Sequence, residues 1–199
     1  NEIELLKFRL ELLYDYVDGF CICESNLTHP GDPKPYYFEE RQAEFAPWMD
    51  KITYLKFQPD ITGLDFSKKD QTFNPNSPAW QLERAQRNAI AQFCEQFDDV
   101  DVFIVSDLDE LVNPEVVEAI RSGAIQVDKA RLEMQMHYYY LNCKGVGSEN
   151  KYWHQGFVAN VGAIKKTPGG LSHLRVHEPM PLMQNGGWHF SYLGGPERV

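Results

Sequence analysis

Apolar residues recur with helical and then strand periods along the first part of the chain. Residues 3–16 carry the helical period, whereas residues 19–25 and 51–57 show the alternation typical of strands. The segment 26–40 is rich in Pro and Gly and predicts a loop, and residues 58–77 are polar and irregular. The helical positions of the first segment are Ile3, Leu6, Leu10, Leu13 and Val17.

A second group of elements follows. The pattern predicts a helix over 78–97, with Ser77 as its N-cap, and an apolar strand over 101–106. A further helix should begin near Asn113 and stop at Gly123.

Strands dominate the second half of the pattern. Residues 130–143 read as one long strand and residues 157–164 as another. Helices that alternate with strands favour an α/β sheet with helices on its faces, here in a single domain of 199 residues. In such sheets, ligands bind at the carboxyl ends of the strands.

Composition restricts the classes of function. The chain is 43% hydrophobic and 13% aromatic, as expected of a globular protein, and its formal net charge of -10 argues against nucleic acid as a partner. The four cysteines form no CxxC pair and their spacing does not suit a zinc site, and buried free thiols are favoured over a disulfide. No apolar run is long enough for a membrane segment.

The strand at 101–106 runs into an acidic stretch. Asp107 and Asp109 alternate with Leu108, so in an extended segment both carboxylates face one site while the leucine turns into the fold. Paired carboxylates suit Mn²⁺ or Mg²⁺. The alternative is a solvated turn or a helix cap, although Asn113 already supplies a cap for the next helix.

The helix at 78–97 presents cations that suit a phosphate. Arg84 and Arg87 lie three apart on one face, and arginine binds phosphate or carboxylate through two parallel hydrogen bonds. The alternative is a solvated helix face with a Glu83–Arg87 pair.

Six stretches spread over nearly the whole chain carry a family resemblance. They are "NEIELLKFRLELLYDYVD", "ESNLTHPGDPKPYYF", "AWQLERAQRN", "VSDLDE", "YYYLNCK" and "GGWHFSY". Together they resemble glycosyltransferase family 17, the β-1,4-mannosyl-glycoprotein N-acetylglucosaminyltransferases, within the metal-dependent GT-A class. The resemblance implies a Rossmann-like, nucleotide-sugar-binding mixed sheet flanked by helices. Family members usually have a strand ahead of "NE", which this sequence lacks.

The resemblance also implies substrates and organisation. The donor would be UDP-N-acetylglucosamine (UDP-GlcNAc) held with Mn²⁺ or Mg²⁺, and the acceptor a glycan, modified with inversion through a β-1,4 linkage to mannose. The nucleotide-sugar half would cover about 1–125 and the acceptor side about 126–199. A eukaryotic member without its anchor would act in the Golgi lumen, and a bacterial or viral one in the cytoplasm.

On this reading, the residues around the metal have separate roles. Asp109 would bind the metal directly, and Asp107 would hold the ribose or a metal-bound water. His189 is a candidate third metal ligand, and a hydrogen-bonded core histidine is the alternative. Arg84 and Arg87 would fix the diphosphate or Asp107.

The remaining candidates contact the uridine, the sugar and the acceptor. Glu24 and Ser25 would face the uridine, with a solvated strand end as the alternative for Glu24. Trp188 would stack on a sugar face. Glu178 is the candidate general base and Glu110 is its rival, although a neighbouring metal would depress the basicity of Glu110.

Two aromatic groups have no assigned role. The run Tyr138, Tyr139 and Tyr140 is more typical of core and sheet packing than of a sugar platform. Trp153 and His154 follow a polar loop and are candidates for an acceptor-side loop.

Two other classes of function remain open. A metal-dependent nucleotidyltransferase also uses paired acids, but it usually has a Gly-rich phosphate loop, and no G-x-x-x-x-G-K stretch occurs here. A non-catalytic carbohydrate- or metal-binding relative would use the acids for a structural ion, and this reading gives the arginine helix no role.

Overall fold

A computed structural model describes residues 2–67, 74–147, 149 and 151–194. The helices are α1 (Glu2–Leu13), α2 (Tyr37–Glu40), a 3-10 helix (Gln42–Lys51), α3 (Pro78–Cys94), α4 (Pro114–Arg121), α5 (Val161–Lys166) and α6 (Gly170–Val176). The strands are β1 (Phe20–Ser25), β2 (Ile52–Phe57), β3 (Val102–Val105), β4 (Glu110–Val112), β5 (Lys129–Tyr138), β6 (Tyr152–Trp153), β7 (Phe157–Asn160) and β8 (Leu182–Ser191).

The described strands form two sheets. β1 and β2 pair in parallel, and a larger mixed sheet has the order β3-β7-β5-β8-β4, with β6 paired to β5. β5 and β8 run parallel, whereas β7 is antiparallel to β3 and β5, and β4 is antiparallel to β8. Consequently β3, β5 and β8 point the same way and end at one edge. This confirms a mixed α/β sheet flanked by helices.

Helix α1 packs against both sheets. Its buried Leu6 and Leu10 join a cluster with Phe38 and Phe45, against which the β1–β2 pair packs. Its Leu5 belongs to a second cluster, with Leu111 of β4 and Phe190 of β8. The helical spacing of these leucines therefore supplies one apolar surface for each sheet.

Most predicted elements are confirmed, with shifted ends. The helix predicted over 78–97 is α3, which ends at Cys94, and the helix predicted from Asn113 is α4. The Asn113 side chain caps α4 by accepting a hydrogen bond from the Glu115 backbone N–H at 3.0 Å. Ser77 stands at the N-cap position of α3, but its side chain makes no capping hydrogen bond.

Three local predictions are wrong. The predicted loop over 26–40 contains α2, and the strand predicted over 157–164 changes at Asn160 into α5. The Asn160 side chain accepts a hydrogen bond from the Ala163 N–H at 2.7 Å, which caps the helix and ends the strand. The strand predicted over 130–143 ends at Tyr138, because Tyr139 adopts a left-handed backbone conformation with φ 63°.

Within the residues that the structure describes, no helix is both long enough and apolar enough to cross a bilayer. The four cysteines are free thiols, and burial raises the pKa of Cys21 to about 12 and that of Cys23 to about 11.

Candidate active site

The acidic stretch lies at the carboxyl end of β3. It is a turn rather than an extended segment, because the Glu110 N–H donates to the carbonyl of Asp107 at 3.0 Å. The expectation that Asp107 and Asp109 project side by side from an extended strand is therefore wrong. Leu108 packs into the apolar clusters below the turn, as predicted. The turn continues into β4, where Glu110 lies directly opposite His189 of β8.

Glu110 is the buried centre of the site. Its side chain is 0% exposed and accepts two hydrogen bonds from Arg175, at 2.7 and 3.1 Å. It also accepts from the Trp153 indole N–H at 2.5 Å and from the Asp107 backbone N–H at 2.8 Å. Both carboxylate oxygens are thus occupied, so Glu110 orients its neighbours and has no free oxygen for an acceptor hydroxyl.

Two arginines hold Asp107. Arg87 Nη2 lies 3.2 Å from one carboxylate oxygen, and Arg175 Nη2 lies 2.5 Å from the other. Burial by itself would raise the pKa of Asp107, but Arg175 and Arg87 outweigh it and the pKa is lowered. Asp107 therefore stays ionised, and Arg87 contacts it as the sequence led us to expect.

Arg9 of α1 forms hydrogen bonds to the acidic turn. Its Nη2 atom lies within hydrogen-bond distance of the Ser106 hydroxyl, at 2.8 Å, and of the backbone carbonyls of Asp107 and Glu110, at 2.5 Å each. The acidic turn is therefore attached to the first helix through its backbone.

Asp109 is the acid of the turn that contacts a histidine instead of an arginine. Its carboxylate is 38% exposed and lies 3.4 Å from His189 Nε2. Burial, together with the charges of Glu110 and Asp107, raises the pKa of Asp109 to about 6. A carboxylate surrounded by like charge gains most from a bound cation.

The surroundings of His189 suit a metal ligand. Burial lowers its pKa, which favours the neutral imidazole. The Nδ1 atom lies 3.2 Å from the Ser191 hydroxyl and 2.9 Å from Met136 Sδ, so Nε2 is the nitrogen that faces Asp109. The Trp153 ring stacks on the imidazole at a centroid distance of 4.6 Å, which fixes the ring plane.

The donor atoms of this pair fit a divalent cation. Asp109 supplies a carboxylate oxygen and His189 a neutral nitrogen, a combination that accepts Mn²⁺. Among residues 2–67, 74–147, 149 and 151–194, no group of three or more His, Cys, Asp or Glu side chains is placed to hold a metal ion. A pair of protein ligands suits a metal that also takes phosphate oxygens and water.

The predicted uridine residues have structural contacts. The Glu24 carboxylate accepts from the Tyr37 and Phe38 backbone N–H groups, at 2.8 and 3.1 Å, and from the Tyr54 hydroxyl at 2.9 Å. Glu24 thereby holds the start of α2 against β1. The Ser25 hydroxyl accepts from the backbone N–H two residues ahead at 3.1 Å. Both lie at the end of β1, and the uridine role stays a prediction.

Arg84 and Trp188 have partners other than the acids of the turn. Arg84 donates to the Pro75 carbonyl at 3.2 Å, in a cleft between α3 and residues 60–64. Trp188 neighbours His189 on β8, so its side chain points to the opposite face of the sheet. It packs there with the cluster of Leu5, Leu111 and Phe190.

Glu178 lies near the amino-terminal ends of β5 and β8. It forms an ion pair with Lys129, the first residue of β5, and it precedes β8. The hydrogen bond from Lys129 lowers the pKa of Glu178, which makes the carboxylate a weaker base. His189, in contrast, lies near the carboxyl end of β8. Glu178 therefore lies before the start of β8 and His189 near its end, and this separation does not support the predicted role of Glu178 as the base.

Sequence reasoning missed Arg9, Arg175 and the role of Trp153. Arg9 carried a signal, because it lies four residues after Leu5 and four before Leu13, on the apolar face of α1. A cation at such a position requires hydrogen-bond acceptors within the fold. Arg175 and Trp153 had no comparable signal, since long-range pairing alone brings them to Glu110.

Comparison with known proteins identifies the family of the chain. A sequence profile of glycosyltransferase family 17 matches residues 1–193. The human protein named β-1,4-mannosyl-glycoprotein 4-β-N-acetylglucosaminyltransferase is 48% identical over 40 residues, or 20% of this chain and 8% of the relative. The rat protein of the same name is 48% identical over 40 residues, or 20% of this chain and 7% of the relative. The aligned segment thus spans less than a tenth of either relative. No solved structure matches the chain.

The acidic turn and His189 lie near the carboxyl ends of β3 and β8, which is where α/β sheets bind their ligands. The family match covers nearly the whole chain, and the protein belongs to glycosyltransferase family 17. The resemblance carried by the six sequence stretches is confirmed.

Proposed function

We propose that this protein transfers N-acetylglucosamine from UDP-GlcNAc to a glycan acceptor, with inversion and with Mn²⁺ as the preferred metal. The acceptor position is a mannose, and the fold belongs to the GT-A class. The observation that carries the proposal is the Asp109–His189 pair. Asp109 belongs to the acidic turn, and the other two acids of that turn are already bound by arginines. The family membership and the name of the human relative support the choice of sugar.

Asp109 and His189 would hold the metal. The bound cation would neutralise the diphosphate and stabilise UDP as it leaves. Because His189 is neutral and its ring is fixed by Trp153, Nε2 would be ready to bind without a proton being removed first.

Asp107 would have a different task. Its contacts with Arg87 and Arg175 fix the position of an ionised carboxylate at the edge of the site, where it can accept a hydrogen bond from a ribose hydroxyl or a water. Because these two guanidinium groups are already bound by acids, they orient the turn. The cation held by Asp109 and His189 would neutralise the charge of the diphosphate.

Transfer with inversion needs a base for the acceptor hydroxyl. Glu110 is excluded by its complete burial, and its oxygens are occupied by Arg175 and Trp153. Glu178 stays a prediction for this role, although its place beside Lys129 does not favour it.

The direct test is sugar transfer. The protein is incubated with UDP-GlcNAc, Mn²⁺ and a glycan with a β-1,4-linked mannose, and the product is analysed by mass spectrometry and linkage analysis. We expect one added N-acetylhexosamine, lost on adding a chelator and restored by Mn²⁺. Asp109→Asn should abolish transfer, whereas Asp99→Asn, at a side chain 66% exposed and paired with Lys165, should not. Transfer that survives the chelator would contradict the metal site.

A further inference from the structure

An aromatic pair lies at the carboxyl ends of β5 and β8. Tyr139 follows the last residue of β5, and Tyr192 follows the last residue of β8. Their rings stack with a centroid distance of 5.8 Å and an interplanar angle of 25°. The Tyr139 backbone N–H donates to the Ser191 carbonyl at 2.9 Å, so the stack joins two neighbouring strand ends.

Both tyrosines adopt a backbone conformation that large side chains rarely take. The φ angle is 63° at Tyr139 and 57° at Tyr192, in the left-handed region that favours glycine. The Gly194 N–H donates to the Tyr139 carbonyl at 2.9 Å, which holds the arrangement. Strain of this kind is concentrated at binding and active sites.

The pair borders an exposed apolar surface. Tyr192 is 57% exposed, Tyr140 is 52% exposed and Leu141 is 64% exposed. These side chains stand beyond the ends of the strands, so the run of tyrosines after β5 does not serve core packing alone. Exposed apolar clusters of this kind mark binding surfaces.

The surface adjoins Asp109 and His189, the candidate metal ligands. The Ser191 hydroxyl lies 3.2 Å from His189 Nδ1, and the Ser191 carbonyl accepts the hydrogen bond from Tyr139. Tyr192 lies three residues after His189, and three residues of strand span about 10 Å. A pyranose ring on the tyrosines would therefore lie within the length of a short oligosaccharide from a group transferred at Asp109 and His189.

We propose that Tyr139 and Tyr192 form the platform on which a pyranose ring of the acceptor glycan stacks. This inference rests on the proposed function. Aromatic faces suit the C–H groups of a sugar ring. The platform belongs to β5 and β8, whereas Arg87 approaches Asp107 from α3. The acceptor is therefore placed on the side of the site away from α3, and the donor on the α3 side.

The test separates the donor from the acceptor. Wild type, Tyr192→Ala and Tyr192→Phe are compared with Phe8→Ala, which removes a ring 52% exposed on α1. Calorimetry gives the Kd for UDP-GlcNAc with Mn²⁺. Saturation-transfer NMR detects methyl β-D-mannopyranoside and gives its apparent Kd. Thermal unfolding shows whether each variant is folded.

We expect Tyr192→Ala to raise the apparent Kd for the mannoside about tenfold, the effect of losing one aromatic contact. Tyr192→Phe and Phe8→Ala should bind the mannoside as wild type does, and all variants should bind UDP-GlcNAc alike. No saturation transfer to the mannoside in wild type would overturn the platform, as would a Kd for the mannoside that Tyr192→Ala leaves unchanged. A parallel loss of UDP-GlcNAc affinity in Tyr192→Ala would overturn the acceptor assignment. Wild type that binds the mannoside but not UDP-GlcNAc would refute the proposed function and leave the platform standing.

Discussion

At the scale of single residues, three neighbouring carboxylates have three different surroundings. Asp107 is held by arginines, Glu110 is buried under Arg175, and Asp109 faces His189. The sequence shows that acids cluster here and that a cation or cationic side chains must compensate them. Which acid is free depends on guanidinium groups that come from distant helices, and local sequence does not give such contacts.

Glu110 should be the acid that the fold tolerates losing least. Glu110→Gln removes the buried charge that compensates Arg175, and we expect the free energy of unfolding to fall by about 3 kcal/mol. Urea denaturation measures this change. Glu118→Gln, at an exposed position on α4, is the matched control and should unfold like wild type. Equal stability of the two variants would show that the Arg175–Glu110 pair contributes little.

At the scale of elements, the pairing of β4 with β8 builds the site. The sequence predicted the helices and the apolar strand before the acids, because their signals are local. It did not predict β4, a three-residue strand in which Glu110 pairs with His189 of β8. A side chain at Gly187, the residue before Trp188, would overlap the Leu111 carbonyl, so the two strands approach each other closely there.

Gly187→Ala should therefore separate β4 from β8. Its φ of 142° and the overlap with Leu111 both oppose a side chain, and we expect a loss of roughly 3 kcal/mol in the free energy of unfolding. Metal affinity should fall as well, because His189 would move away from Asp109. Gly147→Ala adds a methyl group where no atom lies within 4 Å and is the control. Thermal unfolding and Mn²⁺ titration measure both effects, and a Gly187→Ala protein as stable as the control would refute the argument.

At the scale of the whole molecule, α1 ties the two sheets together. Its leucines pack on both, and Arg9 reaches from the same helix to the backbone of the acidic turn. The helical period predicted α1 correctly, but the arrangement of strands into two sheets depends on long-range pairing. The mixed α/β class could be predicted from the sequence, whereas the strand order could not.

Replacing Arg9 should remove hydrogen bonds from the acidic turn while the apolar packing is kept. Arg9→Met keeps the apolar stem but loses its hydrogen bonds to Ser106, Asp107 and Glu110, and we expect stability to fall by about 2 kcal/mol. Affinity for UDP-GlcNAc with Mn²⁺ should fall with it. Arg41→Met, at a surface arginine paired with Glu44, should change neither quantity. If both variants give the same unfolding midpoint and the same affinity, Arg9 does not position the site.

We propose that Asp109 holds the metal through which the donor binds. Calorimetric titration of UDP-GlcNAc and UDP, with Mn²⁺ and with a chelator, tests it in wild type, Asp109→Asn and Asp99→Asn. We predict binding that requires both Mn²⁺ and Asp109, with Asp99→Asn like wild type and circular dichroism spectra that match throughout. Binding of UDP-GlcNAc that persists in the chelator, or that Asp109→Asn retains at full affinity, would show that Asp109 does not hold a metal for the donor.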